Sequence, residues 1–417
     1  MASRTRRGWT IVAVFFFAQF FIVGGAYDTA GVFFTPLVKH FGWSRTQVSM
    51  LTSAISLAAA IVGPGIGWML DRFEAKWMTT IAAVLCGLAF LMASTVHTLV
   101  WMVTAYALLG AGAAASTMIP TYFVISNWFV ERRALAMTLA ITGIEVGGTV
   151  TAMTVAFVIA HAGWRTAYLV LAAPVFIVVV PTLLMFVRSR PATVSASAVH
   201  VPEGHHGSSD PSQPGLEVRT ALRERSFWLI AISYLVYAIV GTALVVHLVP
   251  YLIGLGLTPQ RAAAVLSITL ALNAIGKPSF GALADRFGIR LMYSLNLFMV
   301  GCGVVLLLYA RHFAMLAGFT LVYGLSVGAP IALMPTILAD SVGLRRYGSL
   351  SGMLVTLGVI GSASGPILAG AMFDRTSSYI VIFELFAIGL LIAGFLPMAC
   401  VSYRERQTAS QPAAQTA

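Results

Sequence analysis

The chain has 417 residues, of which 59% are hydrophobic and 9% charged, whereas soluble domains carry about 25% charged residues. So little charge cannot cover a water-soluble protein of this length, so most residues must face lipid or other apolar helices. The net charge of +11 does not point to nucleic acid, because the basic residues form small groups between long apolar runs and no single stripe.

The first apolar run follows Arg4, Arg6 and Arg7 and extends from Trp9 to Leu37, too long for the core of a cleavable leader. It is the first of twelve runs near the length of about 20 residues that a membrane-crossing helix needs. Spans 1 to 12 are expected at 9–37, 46–70, 77–95, 98–127, 134–160, 165–188, 226–253, 260–283, 290–310, 313–340, 347–372 and 378–402. Lipid offers the backbone no hydrogen-bond partner, so each run must be helical. Between spans 6 and 7, residues 189–225 carry Pro191, Pro202, Pro211 and Pro214 and a patch rich in Ser, Gly and His. This stretch reads as a flexible cytoplasmic linker. Its His200, His205 and His206 read as solvated residues, because no partner ligands follow. The expected organisation is an N-terminal six-helix half (1–188), the linker (189–225), a C-terminal six-helix half (226–403) and a cytoplasmic tail (404–417). Cys86, Cys302 and Cys400 lie far apart in apolar runs and read as small packing residues.

Eighteen of the 25 Lys and Arg fall on the side of the N-terminus. Six, namely Lys39, Arg45, Arg165, Arg261, Arg311 and Arg375, fall on the other, and Lys277 lies within a span. This asymmetry places both termini and the linker in the cytoplasm. The short loops and the uncleaved first run point to a bacterial inner membrane.

The two halves superimpose in sequence at an offset of 213 or 214 residues. Gly63-Pro64, Gly67 and Asp71-Arg72-Phe73 match Lys277-Pro278, Gly281 and Asp285-Arg286-Phe287; Arg132-Arg133 match Arg345-Arg346, and Pro36 matches Pro250. Such a repeat describes one large transporter class. It also separates scaffold from function. Lys277 stands opposite Gly63, Glu145 opposite Gly358, Asp28 opposite Thr242 and His247 opposite Phe33, so these polar groups are not what the shared scaffold requires.

The string Gly281-Ala-Leu-Ala-Asp285-Arg286-Phe-Gly288-Ile-Arg290, with a partial copy at Gly67, Asp71 and Arg72, resembles the loop signature of the major facilitator superfamily. Nearly the whole chain shares the likeness, which implies an all-α membrane protein of twelve helices in two pseudo-symmetric halves. Within that superfamily the chain is similar to the monocarboxylate-transporter branch, including bacterial oxalate–formate-type relatives. The similarity rests on Gly31-Val-Phe-Phe34, Phe41-Gly-Trp-Ser-Arg45 and Trp128-Phe-Val-Glu-Arg-Arg133. Members often carry an acid, three residues and then Arg-Pro in span 8, where this chain has Asn273 and Lys277-Pro278. The resemblance implies that the cation in this slot engages a substrate carboxylate.

An ionisable group at membrane depth is costly and is usually paired or functional. Lys277 precedes Asp285 by eight residues, about 12 Å along a helix, and Glu145 follows Arg133 by twelve, about 18 Å. Both therefore fall near mid-membrane, and an ion pair between them is a candidate coupling element. The bland alternatives are a snorkelling lysine and a glutamate hydrogen-bonded among close-packed Gly143, Gly147 and Gly148. Asp28, beside Tyr27, is a candidate proton carrier or a water-exposed vestibule acid. The candidate substrate-binding set is Lys277, Asn273, Tyr27, Asp28 and Tyr122, and the proton-coupling or ion-pair set is Asp28, Glu145 and Lys277. His247, near the face opposite the termini, is read as structural. Asp71, Arg72, Arg132, Arg133, Asp285, Arg286, Arg345 and Arg346 form a candidate cytoplasmic gate network. The expectation is a monomeric, proton-coupled symporter of a small organic anion, a monocarboxylate, in the lipid bilayer. It has neither enzymatic chemistry nor a cofactor or metal. The competing expectation is a proton-coupled exporter of a drug or cationic metabolite, because two acids face one lysine.

Overall fold

A computed structural model describes residues 2–129, 133–188, 215–343 and 345–403. Among these residues eleven helical stretches are long and apolar enough to cross a membrane. One of them, Ala136–Phe186, is 51 residues long and passes through Gly163, whose φ of 82° and ψ of 167° are not helical. Divided at Gly163 it gives spans 5 and 6, and the total becomes twelve. The other spans are Arg7–Phe41 (1), Arg45–Leu70 (2), Ala75–Ser94 (3), Leu99–Ile125 (4), Arg225–Gly254 (7), Pro259–Phe287 (8), Ile289–Leu308 (9), Phe313–Val342 (10), Ser349–Thr376 (11) and Ile380–Ala399 (12). Large apolar side chains such as Ile61, Val100, Ile177 and Phe313 are exposed, as lipid contact requires. The chain is a multi-pass membrane protein with the expected twelve-helix, all-α fold.

Several spans are not continuous helices. Span 1 passes through a π-helical turn at Gln19–Val23 and a turn at 27–29 before resuming at Ala30–Phe41. Span 4 breaks at Thr117 (φ −120°, ψ −91°), and span 10 at residues 327–328. Span 5 stays helical in φ and ψ through Thr142 (φ −56°, ψ −19°), whose amide donates to the Thr138 carbonyl at 2.9 Å, and Glu145 lies one turn further on.

The described residues fall into two compact units. The first comprises Met1–Val201, Thr242–Ala274 and Ser362–Tyr379. Close approach through glycine organises it. A Cβ on Gly24 would lie 2.5 Å from the backbone nitrogen of Gly148. A Cβ on Gly112 would meet Cys86 Sγ at 2.5 Å and the Ala82 carbonyl at 2.9 Å. Without a large hydrophobic driving force between helices in lipid, such small residues let backbones touch and gain dispersion contacts. Phe33 stacks on Tyr168 at 4.0 Å, and the Tyr168 hydroxyl shares a 2.8 Å hydrogen bond with Tyr106.

The second unit comprises Pro202–Gly241, Ile275–Gly361 and Ile380–Ala417. Span 10 packs on span 9 through Gly303, whose Cβ would lie 2.8 Å from Tyr323 Cβ, and Phe298 meets Phe395 of span 12 edge to face at 4.5 Å. The expected linker falls mostly outside the described residues. In its described part Gly215 bridges Gly343, the Leu216 amide donates to the Val342 carbonyl at 2.9 Å, and Val218–Ala221 forms a helical turn. Cys86 and Cys400 are buried, as packing residues should be, whereas Cys302 is exposed.

Candidate functional site

In the first unit, the broken segment of span 1 brings Tyr27 and Asp28 against two neighbouring helices. The Tyr27 hydroxyl hydrogen-bonds Ser56 of span 2. Asp28 is 8% exposed, and its carboxylate lies where a Cβ on Gly148 of span 5 would be. Thr151 Oγ1 donates to the Gly24 carbonyl at 3.1 Å, and Thr29 Oγ1 to the Gly25 carbonyl at 2.5 Å. These bonds take up carbonyls that a continuous helix would have used, so the irregular backbone is satisfied by protein.

Span 5 also meets span 8. Thr149 Oγ1 donates to the Glu145 carbonyl at 2.7 Å and reaches the Ser267 carbonyl at 3.3 Å. Glu145, one turn earlier, is 4% exposed. Asn273 in span 8 is 8% exposed, and no described residue hydrogen-bonds its Oδ1 or the Ser267 hydroxyl. Asp28, Glu145, Tyr27 and Asn273 thus share one unit, together with half-buried Tyr122 from the second part of span 4. Lys277 is half-buried in the second unit, in the part of span 8 that begins at Ile275.

The candidate gate residues are seen only in part. Arg132 lies outside the described residues, and the side chains of Asp71 and Arg133 are not described. Arg72 stacks its guanidinium over Trp68 at 4.2 Å. Arg286 lies over Phe287 at 5.4 Å, and Asp285 is exposed. Arg345 and Arg346 both bind Glu217, each at 3.0 Å, and Arg290 pairs with Asp340 at 3.6 Å. Glu217 was not expected from sequence. Its one signal is a lone acid between the Ser/Pro/Gly-rich stretch and a short helical turn.

A second polar cluster, also missed, occupies the end of the first unit where the span 1–2 and span 11–12 connections lie. It joins Arg45, Asp374, Tyr379 and His247. His247 is fully buried, with Tyr379, Pro366 and Ser49 as partners. The available signal was the start of span 2, where Ser44 and Gln47 form a capping box but the first turn holds no acid.

A twelve-span membrane carrier is the class of protein that this fold defines, with its intramembrane charged residues as the candidate site. The family model of the Major Facilitator Superfamily matches residues 15–290 and 248–417, and the chain belongs to that superfamily. Among similar proteins, Monocarboxylate transporter 13 of Bos taurus is 28% identical over 390 residues, covering 93% of this chain and 87% of the relative. Monocarboxylate transporter 2 of Rattus norvegicus is 24% identical, covering 95% and 84%. Among solved structures, a bacterial homologue of the human lysosomal transporter Spinster matches with a TM-score of 0.72 at 17% identity, covering 97% of both chains. The nucleoside transporter NupG matches at 0.76 and 16% identity, covering 94% of this chain and 99% of the other. The chain is therefore a transporter and not an enzyme.

Proposed function

We propose that this transporter carries a small organic anion, a monocarboxylate, together with a proton across a bacterial cytoplasmic membrane. The observation that carries the reading is similarity to monocarboxylate transporters along 93% of the chain, combined with a half-buried lysine inside span 8. The carboxylate binds the Lys277 ammonium, and Asn273, Tyr27 and Tyr122 supply hydrogen bonds that orient the rest of the solute. A charged solute in a site poor in water gains from a fixed counter-charge far more than it would at a surface.

Asp28 or Glu145 carries the proton. Burial disfavours the charged form of a carboxylate, and an adjacent ammonium favours it. An anion that occupies Lys277 removes that support, so the acid takes up a proton when the substrate binds. This links the two fluxes without a separate device. Residues 1–188 and 226–403 act as two bodies that alternately expose the site, with Asp71, Arg72, Arg132, Arg133, Asp285, Arg286, Arg345 and Arg346 closing the cytoplasmic end. The protein works as a monomer with both termini in the cytoplasm.

Proteoliposome uptake tests this reading. Labelled pyruvate, lactate and aromatic carboxylates should enter saturably, faster with an inward proton gradient, and a protonophore should remove the acceleration. Export of a cation against an inward proton gradient, with no carboxylate flux, would overturn it in favour of the drug or cationic-metabolite exporter. That second reading draws on the two buried acids, Asp28 and Glu145.

A further inference from the structure

The start of span 2 is incompletely capped by its own sequence. The first amides of a helix have no intrahelical partner. Ser44 Oγ accepts from the Gln47 amide at 3.1 Å, and Gln47 Oε1 accepts from the Ser44 amide at 2.9 Å. The amides of Arg45 and Thr46 remain. Both donate to Asp374, at 3.0 Å to Oδ1 and 2.9 Å to Oδ2, and the Thr46 hydroxyl adds a 2.6 Å bond to Oδ2. Asp374 lies near the end of span 11, 329 positions from Arg45. A carboxylate from the second repeat therefore completes the cap of a helix in the first, at the end where the helix dipole favours negative charge.

A buried half of the cluster backs this cap. The Arg45 guanidinium lies 3.6 Å from the centroid of Phe373 and donates to the Tyr379 hydroxyl. His247 Nε2 faces the Pro366 carbonyl at 2.9 Å, and Nδ1 faces Tyr379 Oη at 2.9 Å. A carbonyl can only accept, so the ring carries its proton on Nε2 and Nδ1 accepts from the tyrosine hydroxyl. Ser49 Oγ donates to the Arg45 carbonyl at 2.7 Å and lies 3.1 Å from Nε2. Spans 2, 7 and 11 and the span 11–12 connection are thus joined in one hydrogen-bonded chain. The backbones also interlock. A Cβ on Gly370 would lie 2.9 Å from the Arg45 carbonyl, and one on Gly31 2.7 Å from that of Val245.

We propose that Asp374 is the releasable catch of a latch between the two repeats. It caps span 2 while this end of the carrier is shut and leaves when the end opens. Two features support a catch over a permanent weld. Asp374 is exposed whereas His247 is buried, so water replaces the outer bonds readily, and the inner ones part only once the outer ones have gone. Packed interfaces of this kind switch between made and broken states and do not deform continuously. The latch does not depend on which solute is carried.

Spin labels at Lys39→Cys and Arg375→Cys, with Cys86, Cys302 and Cys400 replaced by alanine, report the separation of the two repeats at this end. In that parent the pulsed-dipolar distance distribution should be dominated by the short distance. Asp374→Ala should raise the ratio of long-distance to short-distance protein roughly two- to fivefold, as expected for losing one helix-end charge contact. Asp374→Asn, which keeps one acceptor oxygen, should fall between. An Asp374→Ala distribution that overlays the parent overturns the proposal. If that variant is not monodisperse, Thr46→Val decides. It removes one bond to the same carboxylate and should shift the distribution less but in the same direction, and no shift overturns the proposal.

Discussion

Gly148 shows how single positions build the site. Its missing side chain leaves the space in which the Asp28 carboxylate rests, and an added Cβ would lie 2.7 Å from Asp28 Cγ. Gly148→Ala should therefore cost about 1–3 kcal/mol through overpacking, read as a lower melting temperature in detergent. Gly65→Ala, where a Cβ would meet nothing within 4 Å, should be neutral or raise it, because Ala is the better helix former. Glu145→Gln should change the rate of carboxylate uptake and flatten its pH dependence, and a wild-type profile would remove Glu145 from the coupling scheme. The ionisable members of the candidate site stand out in the sequence because a charge inside an apolar run is expensive enough to demand a reason. Asp374 and Tyr379 were not. They fall at the end of an apolar run, where polar residues are ordinary, and their partners are hundreds of positions away in the chain.

Helix breaks are the features that hydropathy alone does not reveal. The twelve apolar runs were readable from length and composition. Their interruptions at 27–29, Thr117 and 327–328 are tertiary features: Thr151 takes up the Gly24 carbonyl and the Tyr237 hydroxyl that of Val327. Tyr27 and Asp28 sit at the first of these breaks, the kind of place where substrate-binding sites of carriers tend to be built. The boundary between spans 5 and 6 has a local cause. The sequence suggested a short gap after residue 160, whereas the chain turns at Gly163 alone, in a φ/ψ combination essentially restricted to glycine. Gly163→Val should cost about 1–3 kcal/mol by that strain and lower the melting temperature, while uptake per folded molecule stays near wild type.

For the whole molecule, the internal repeat gave the superfamily fold from sequence, but the partners of the basic pairs required the structure. Arg345 and Arg346 were expected as members of a cytoplasmic charge network with no partner assigned, and Glu217 from the end of the linker binds both. Glu217→Ala should speed hydrogen exchange at the Leu216 amide by up to roughly fivefold, the scale of an exposed ion pair. The central claim is that the Lys277 ammonium binds the carboxylate of the transported solute. Proteoliposome flux across a carboxylate panel for wild type, Lys277→Arg and Lys277→Gln tests it most directly. Loss of a charged hydrogen bond in the Gln variant should lower saturable flux about 10- to 100-fold, with the Arg variant retaining a substantial part. Wild-type rate and KM in Lys277→Gln would contradict the claim.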